Sequence, residues 1–118
     1  MIWKQNDPWI GVDLDGTLAE YNDWIGPEHI GPPVPLMADR VRAWLQDGKR
    51  VKIMTARISQ PSQRAMAYCA IMEWCFEHFG EALEVTQCKD YAMVELWDDR
   101  AVAVEKNTGV ILGGVSKA

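Results

Sequence analysis

Two carboxylates, Asp13 and Asp15, stand one residue apart at the end of a short apolar stretch. The apolar stretch 9–12 predicts a buried strand, and residues i and i+2 of a strand point to the same side. Gly16 follows the pair and allows Asp15 to turn away from the strand. Carboxylates this close repel each other unless a cation lies between them or they share a proton. The pair therefore indicates either a cation site or acid–base chemistry.

Further polar side chains stand where other predicted strands end. These groups are Asp13 and Asp15 on the first strand, Thr55 on the second, and Asp98 and Asp99 on the fourth. In an open parallel sheet the carboxyl ends of the strands share one edge, and ligands bind there. We therefore expect these side chains to form one cluster, together with Lys89 from the connector before the fourth strand.

The chemistry of this predicted cluster favours a cation and a phosphate. Its acids cannot all stay ionised without a cation, and an oxygen-only ligand set favours Mg²⁺. Lys89 offers a point charge and Thr55 a hydroxyl donor, and both suit phosphate oxygens. A carboxylate that is not needed for the cation can attack phosphorus and form an aspartyl-phosphate.

Apolar periodicity predicts the elements that must position these groups. Helices are expected from about residue 36 to Gly48 and from a cap at Ser59 or Gln60 to Gly80, and strands over 9–12, 50–57, 83–86 and 93–97. The second helix carries an apolar stripe that we expect in the core: Tyr68, Ile71, Met72, Cys75, Phe76 and Phe79. Cys69 is also expected there. The order of elements predicts an α/β fold with a compact Rossmann-like parallel sheet and flanking helices. Segment 101–112, with an Asn/Gly turn, predicts an added C-terminal β-hairpin.

The stretch 13–17 resembles the nucleophile motif Asp-x-Asp-Gly-Thr of the haloacid dehalogenase superfamily. In that family the first Asp attacks phosphorus, which assigns the role of nucleophile to Asp13. The second Asp is general acid/base and binds the metal through its backbone carbonyl, which assigns both roles to Asp15. The resemblance implies a Mg²⁺-dependent phosphatase with a fold of the same family.

Later motifs extend this resemblance over the range 13–99. Thr55, in Met-Thr-Ala-Arg, matches the second motif's phosphate-binding residue, and Lys89 matches the lysine of the third. Asp98 and Asp99 match the acidic fourth motif, and we rank Asp99 as the main metal ligand with Asp98 in support. The short stretch between Lys89 and the fourth predicted strand departs from the family, which usually places a helix there.

The resemblance also implies an open, capless site. Larger family members insert a folded cap after the first or second motif, but the gaps 18–36 and 57–89 leave no room for one. The loop 19–35 is the only segment that could act as a rudimentary cap, with Trp24 as part of a wall. Open sites act on large substrates or borrow a wall from a second subunit, so a homo-oligomer that completes the site is one expectation.

Candidate substrate contacts surround the second and fourth motifs. Ala56 and Arg57 follow Thr55 and are candidate phosphate-binding residues, although Arg57 and Arg100 could instead pair with surface acids. Thr-Ala-Arg and Asp-Asp-Arg also resemble the phosphatase half of polynucleotide kinases and the nucleotidases. The expected partner is therefore a small phosphorylated substrate, with a nucleotide or a nucleic-acid end as one candidate, and Trp24 could stack on a bulky leaving group.

Composition narrows the remaining function classes. The chain of 118 residues has a net charge of −5 and is 48% hydrophobic, which predicts one domain, 1–118, with an ordinary core. The acidic balance argues against a non-specific nucleic-acid binder. No apolar run reaches the length of a membrane span and no basic-apolar leader opens the chain, so we expect a cytoplasmic protein. Three cysteines without a C-x-x-C pair suggest neither a disulfide framework nor a zinc site.

Two rival functions remain. A two-component receiver domain is also a small α/β protein with acids, a Thr and a Lys around Mg²⁺. Its acidic pair comes first, its phospho-acceptor lies on a middle strand and its lysine comes late, which differs from the order here. A catalytically silent member of the same scaffold would bind a partner without turnover. The complete set of motif residues speaks against that reading.

Overall fold

Strands and helices alternate along the chain in this computed structural model, which describes residues 2–114 and residue 116. The strands are β1 (Trp9–Asp13), β2 (Arg50–Met54), β3 (Glu84–Thr86) and β4 (Met93–Trp97). The α-helices are α1 (Pro35–Gln46) and α2 (Arg64–Phe79), and a short 3₁₀-helix spans Ala56–Ile58. Within the described residues, none of the helices has the length and apolar character needed to cross a membrane.

The strands form one sheet in the order β3-β2-β1-β4, and every pairing is parallel. Strand β1 is therefore central, with β2 on one side and β4 on the other. This arrangement confirms the predicted α/β architecture with a parallel sheet and flanking helices. Because the strands run in one direction, the carboxyl ends of β1, β2 and β4 lie at the same edge.

Both helices pack on the same face of the sheet. Val12 and Ile53 from the strands, Val41 from α1 and Ile71 from α2 are all fully buried in one apolar cluster. The steps from β1 to β2 and from β2 to β3 move in the same direction across the sheet. Right-handed crossovers that move in one direction place their helices on one face.

The opposite face carries a charged network around Trp9. The alternation of side chains along β1 turns Trp9 away from the helices. Trp9 is nevertheless only 1% exposed, and its indole N–H donates to Asp90 Oδ1 at 2.9 Å. The Lys52 ammonium lies 4.5 Å from the centre of the ring. Arg50 is also buried and donates to both carboxylate oxygens of Glu84, at 2.7 and 3.0 Å. Charged side chains therefore cover the large apolar ring on this face.

The connector 87–92 crosses the sheet from β3 to β4 without a helix. It passes β2 and β1, a sideways distance of about 14 Å, and also returns about 13 Å along the strands. The diagonal is about 19 Å, and an extended chain of this length can reach about 23 Å. Asp90 and the carbonyl of Ala92, which accepts from the Trp9 backbone N–H at 3.0 Å, fix its end. The short connector is thus compatible with a central β1.

The beginning of α2 differs from the sequence prediction. A cap at 59–60 was the expected start, but the chain first forms the 3₁₀-helix Ala56–Ile58, and α2 begins only at Arg64. The hydroxyl of Thr55 accepts the backbone N–H of Arg57 at 3.1 Å. This bond caps the short 3₁₀ turn directly after β2, and residues 59–63 then form bends and turns before the long helix begins.

Only part of the predicted apolar stripe of α2 lies in the core. Ile71 and Cys75 are fully buried. The residues expected in the core that are exposed instead are Cys69, Met72 and Phe76. Trp74, which lies outside the stripe, is buried and donates its indole N–H to the carbonyl of Gly31 at 2.9 Å. Tyr68 and Phe79 are half-buried against the core, so the prediction was wrong for two of the six stripe residues, Met72 and Phe76. The helix meets the sheet along a narrower arc than the sequence pattern covers.

The predicted β-hairpin over 101–112 is not formed as a pair of strands. The segment contains an isolated antiparallel bridge between Val104 and Ile111, with a backbone hydrogen bond on each side of it. Its turn has the expected left-handed residues, Asn107 at φ 69° and Gly109 at φ 79°. Every residue of the segment is exposed. Two strands without a buried apolar face are marginal in water, which explains why the turn forms and the strands do not.

The loop 19–35 is fastened to the body near its ends. The backbone N–H of Glu20 donates to the carbonyl of Pro32 at 2.9 Å, and Trp74 binds the carbonyl of Gly31. Only glycine fits at position 31, because a Cβ atom there would collide with the carbonyl oxygen of Glu20. These contacts fix the base of the loop, and its middle extends along the carboxyl edge of the sheet.

Candidate functional site

An open cavity of about 710 Å³ lies at the carboxyl edge of the sheet. Asp13 ends β1, Thr55 follows β2, and Asp98 and Asp99 follow β4, and all of them line this cavity. Asp15 lines it from the turn after β1. The parallel topology thus brings together side chains that are far apart in the chain.

Three of these carboxylates, Asp13, Asp98 and Asp99, form an acidic cluster. One oxygen from each lies within 4.8 Å of the others. The pKa of Asp13 is raised from 3.8 to about 7. Burial is the largest cause, and the charge of Asp98 together with a hydrogen bond and the charge from Asp99 adds to it. A hydrogen bond from Thr17 acts in the opposite direction and lowers the pKa. Such a cluster is strained when fully ionised, and its hard oxygen donors suit Mg²⁺. The residues therefore fit the predicted cation.

Thr17 holds the acidic cluster together. Its hydroxyl lies 3.3 Å from Asp13 Oδ2 and 3.1 Å from Asp99 Oδ1, and it accepts the backbone N–H of Asp99 at 2.9 Å. It is therefore a direct link between the ends of β1 and β4. Sequence reasoning assigned no role to Thr17, and the available signal was its place at the end of the Asp-x-Asp-Gly-Thr run.

Gly16 allows Asp99 to approach the turn after β1. Its φ is +88°, a region that L side chains rarely adopt, and an added Cβ would lie 2.8 Å from Asp99 Oδ2. The backbone N–H of Gly16 also donates to the carbonyl of Ala19 at 2.8 Å. The glycine is therefore required both by the turn and by the position of the carboxylate beside it.

Asp15 lies outside the acidic cluster and is paired with Arg57. The guanidinium donates to both carboxylate oxygens, with Nε–Oδ2 at 2.8 Å and Nη2–Oδ1 at 2.9 Å. Arg57 is only 7% exposed, and its Nη1 lies 3.4 Å and 3.3 Å from the carbonyls of Gly26 and Pro27. A two-point pair of this kind fixes the plane of the carboxylate. Arg57 therefore positions Asp15 and ties it to the loop.

Tyr21 and Trp24 form the wall of the cavity on the loop side, here called the aromatic wall. Both line the cavity, and their exposed fractions are 40% and 48%. The guanidinium carbon of Arg57 lies 5.0 Å from the centre of the Trp24 ring. The loop thus supplies an aromatic surface supported from one side by a buried cation.

Thr55 and Ala56 line the floor of the cavity beside the acidic cluster. Thr55 is buried, and its backbone N–H donates to the carbonyl of Thr86 at 2.9 Å, which joins the ends of β2 and β3. Its hydroxyl oxygen accepts from Arg57, so the hydroxyl proton can be donated to another acceptor. This arrangement suits a contact with an anionic oxygen.

Lys89 does not line the cavity. It is exposed on the connector 87–92, next to Asp90. Asp90 accepts a hydrogen bond from Trp9 on the face of the sheet opposite the helices. The connector must run towards the beginning of β4, so it carries Lys89 away from the carboxyl edge. The cationic side chains among the described residues that line the cavity are Arg57 and Arg100.

Comparisons with known proteins returned no relative. No family model matches the chain, and no match was found among curated proteins or solved structures. No relative therefore contributes a residue role or a substrate. A functional assignment depends on the chemistry of the site itself.

Proposed function

We propose that this protein is a Mg²⁺-dependent phosphohydrolase that cleaves phosphomonoesters through an aspartyl-phosphate on Asp13, with Asp15 as general acid/base. The observation that carries this proposal is the separation of the two carboxylates. Asp13 belongs to the acidic cluster, whereas Asp15 is held by Arg57. Two carboxylates in different environments can take different catalytic roles. The resemblance of the first motif to the haloacid dehalogenase superfamily supports the same roles.

In the first half-reaction, a carboxylate oxygen of Asp13 attacks phosphorus as the bond to the leaving alcohol breaks. The leaving oxygen takes a proton from Asp15 as general acid, which requires Asp15 to be protonated first and to release one of its two contacts with the Arg57 guanidinium. Before the reaction both of its oxygens contact the Arg57 guanidinium, which fixes the orientation of the carboxylate. The products of this step are the free alcohol and a phosphorylated Asp13.

In the second half-reaction, water attacks the phosphorus of the aspartyl-phosphate. Asp15 accepts a proton from this water, and the bond between phosphorus and the Asp13 oxygen breaks. Inorganic phosphate leaves, and Asp13 regains its carboxylate. Thr55, with its hydroxyl at the floor of the cavity, can donate to a phosphate oxygen in both steps.

The residues that would hold Mg²⁺ are Asp13, Asp98 and Asp99, with the backbone carbonyl of Asp15 implied by the resemblance. The bound ion would neutralise negative charge between the cluster and the phosphate. Only ionised Asp13 can attack phosphorus, and the pKa of about 7 in the metal-free site leaves part of it protonated at neutral pH. Neutralisation of the cluster would therefore raise the reactive fraction.

One observation favours a binding protein without turnover. Lys89, which matches the family's phosphate-binding lysine, is exposed outside the cavity. A receiver-like protein that retains phosphate on Asp13 is the other alternative. Repeated release of phosphate separates the proposed enzyme from both, because neither alternative turns over.

The test is phosphate release from nucleoside monophosphates, sugar phosphates and 3′-phosphorylated oligonucleotides, measured with Mg²⁺ and with EDTA. We expect metal-dependent, multiple-turnover release that Asp13→Asn abolishes. Asp15→Asn should lose roughly 10²–10⁴-fold, the usual contribution of general acid/base catalysis. Asp39→Asn is the matched control, because Asp39 is exposed on α1 and forms an ion pair with Arg42 at 3.2 Å.

The outcomes separate the competing functions. No release from any substrate by the pure protein would reject the phosphatase. Stable labelling of Asp13 without release would favour the receiver-like alternative. Undiminished release by Asp13→Asn would reject the covalent route, even if the protein proved to be a phosphatase.

A further inference from the structure

We propose that the aromatic wall is a nucleobase subsite and that the substrate is a free nucleoside monophosphate. This inference rests on the proposed function, because the phosphate would occupy the end of the cavity at Asp13. The base would then stack on Trp24, which lies on the loop side of the same cavity. The wall thus determines which leaving group is recognised.

Trp24 is a supported platform for a planar ring. Its side chain is 48% exposed, so packing within the fold does not account for a residue of this size at this position. The guanidinium of Arg57 lies 5.0 Å from the ring centre and is itself buried. A cation over the ring holds its orientation, and the ring stays about half exposed in a cavity that it lines. Aromatic rings presented in this way bind bases of any sequence by stacking.

The same guanidinium fixes the platform relative to the reacting groups. Arg57 contacts Asp15 through two nitrogens and the carbonyls of Gly26 and Pro27 through the third. The stacking ring and the general acid/base are therefore held by one rigid side chain. A leaving group that spans from Asp15 to Trp24 would find both contacts preformed, which lowers the cost of ordering it.

The size and lining of the cavity agree with a nucleotide. Its volume of about 710 Å³ lies within the roughly 300–1,000 Å³ usual for small-molecule sites. Polar amides also line it: Gln60, Gln63 and Gln87. Each amide both donates and accepts hydrogen bonds, so it can meet the edge of a base or the hydroxyls of a ribose.

Charge favours a free nucleotide over the end of a nucleic acid. A polymer brings several phosphates that a protein must neutralise with Lys or Arg. The cations lining the cavity in the described part of the chain are Arg57, which is paired with Asp15, and Arg100. The whole chain has a net charge of −5. A single phosphate at the acidic cluster with its cation requires no further basic surface.

The test compares AMP with ribose 5-phosphate, which has the same reacting group and no base. We expect the wild-type protein to favour AMP in kcat/KM, and Trp24→Ala to reduce the ratio of AMP to ribose 5-phosphate by about 5–150-fold, the usual effect of losing one base stack. Trp24→Phe should retain most of the preference. Ile25→Ala is the matched control, because Ile25 is the neighbouring apolar residue, is 67% exposed and does not line the cavity.

A binding experiment separates this inference from the proposed function. The affinities of AMP and ribose 5-phosphate are measured by calorimetry with Mg²⁺ on two inactive proteins, Asp13→Asn and the double variant Asp13→Asn/Trp24→Ala. Selective loss of AMP binding would support the subsite even if no phosphate were released. Equal affinity and equal turnover for both ligands in the wild-type protein would overturn it. An equal loss for both ligands in Trp24→Ala would also overturn it. A 3′-phosphorylated oligonucleotide preferred over AMP would overturn the assignment to a free nucleotide.

Discussion

The metal-free protein should become less stable as the pH rises from about 5 to about 7, because of Asp13. Burial and the neighbouring acids raise the pKa of this carboxyl in the folded protein to about 7, against an ordinary value of 3.8. The folded protein therefore binds this proton more tightly than the unfolded chain does. The resulting stabilisation is complete below the unfolded pKa and is lost as the pH rises through the folded pKa.

The magnitude follows from the difference between the two values. At about 1.4 kcal/mol per pKa unit, a rise from 3.8 to about 7 corresponds to about 4 kcal/mol. Asp13 lines an open cavity and is partly exposed, so solvent screening reduces this effect. We expect a loss of about 1–2 kcal/mol between pH 5 and pH 7.

Urea denaturation in EDTA at pH 5, 6, 7 and 8 measures this loss in the wild-type protein and in Asp13→Asn. The amide cannot ionise, so the stability of the variant relative to wild type should increase with pH by the same 1–2 kcal/mol. The histidines are common to both proteins and cancel in the difference. Asp39→Asn should follow the wild-type curve. Parallel curves for wild type and Asp13→Asn between pH 5 and 8 would refute the reasoning, because Asp13 would then ionise without penalty.

Other substitutions test neighbouring contacts. Gly16→Ala places a Cβ 2.8 Å from Asp99 Oδ2 and should reduce the rise in melting temperature caused by Mg²⁺, whereas an unchanged Mg²⁺ effect would argue against Asp99 as a ligand. Thr17→Val removes the hydroxyl that contacts Asp13 and Asp99 and should cost about 1–3 kcal/mol in urea denaturation; a neutral result would show that the link is not needed for folding. Arg50 lowers the pKa of Glu84 below its ordinary 4.5. The stability that this pair contributes is therefore lost as the pH falls below that value. Glu84→Gln should flatten the acid limb of the curve of unfolding free energy against pH. An acid limb identical to that of the wild-type protein would contradict this.

Local pattern was sufficient to predict the order of elements and the sheet. Alternating strands and helices, with short turns between them, predict parallel strands whose carboxyl ends meet. Asp13, Thr55 and Asp99 could therefore be expected at one edge before any contact between them was known. The same local reasoning predicted the turn at 107–109, but not the absence of strands around it, because strand formation there depends on an apolar face that segment 101–112 does not have.

The pairing of the charged groups was decided by the tertiary structure. Asp15 and Arg57 are 42 residues apart, and their two-point contact depends on how the turn after β1 faces the 3₁₀-helix after β2. No spacing in the chain shows that Arg57 binds Asp15 and supports Trp24, rather than contacting a substrate anion. Such contacts depend on ångström-scale distances between elements, which local periodicity does not specify.

Lys89 is the clearest case of this difference. Its place in the order of motifs predicts a phosphate contact. The connector 87–92, however, must cross the face of the sheet opposite the helices to reach β4. Asp90 binds Trp9 on that face, and Lys89 beside it is exposed outside the cavity. Residue types and their order along the chain thus established which groups end each strand. The path of the crossover, which is fixed by strand order and by the reach of an extended chain, decided which of them face the cavity.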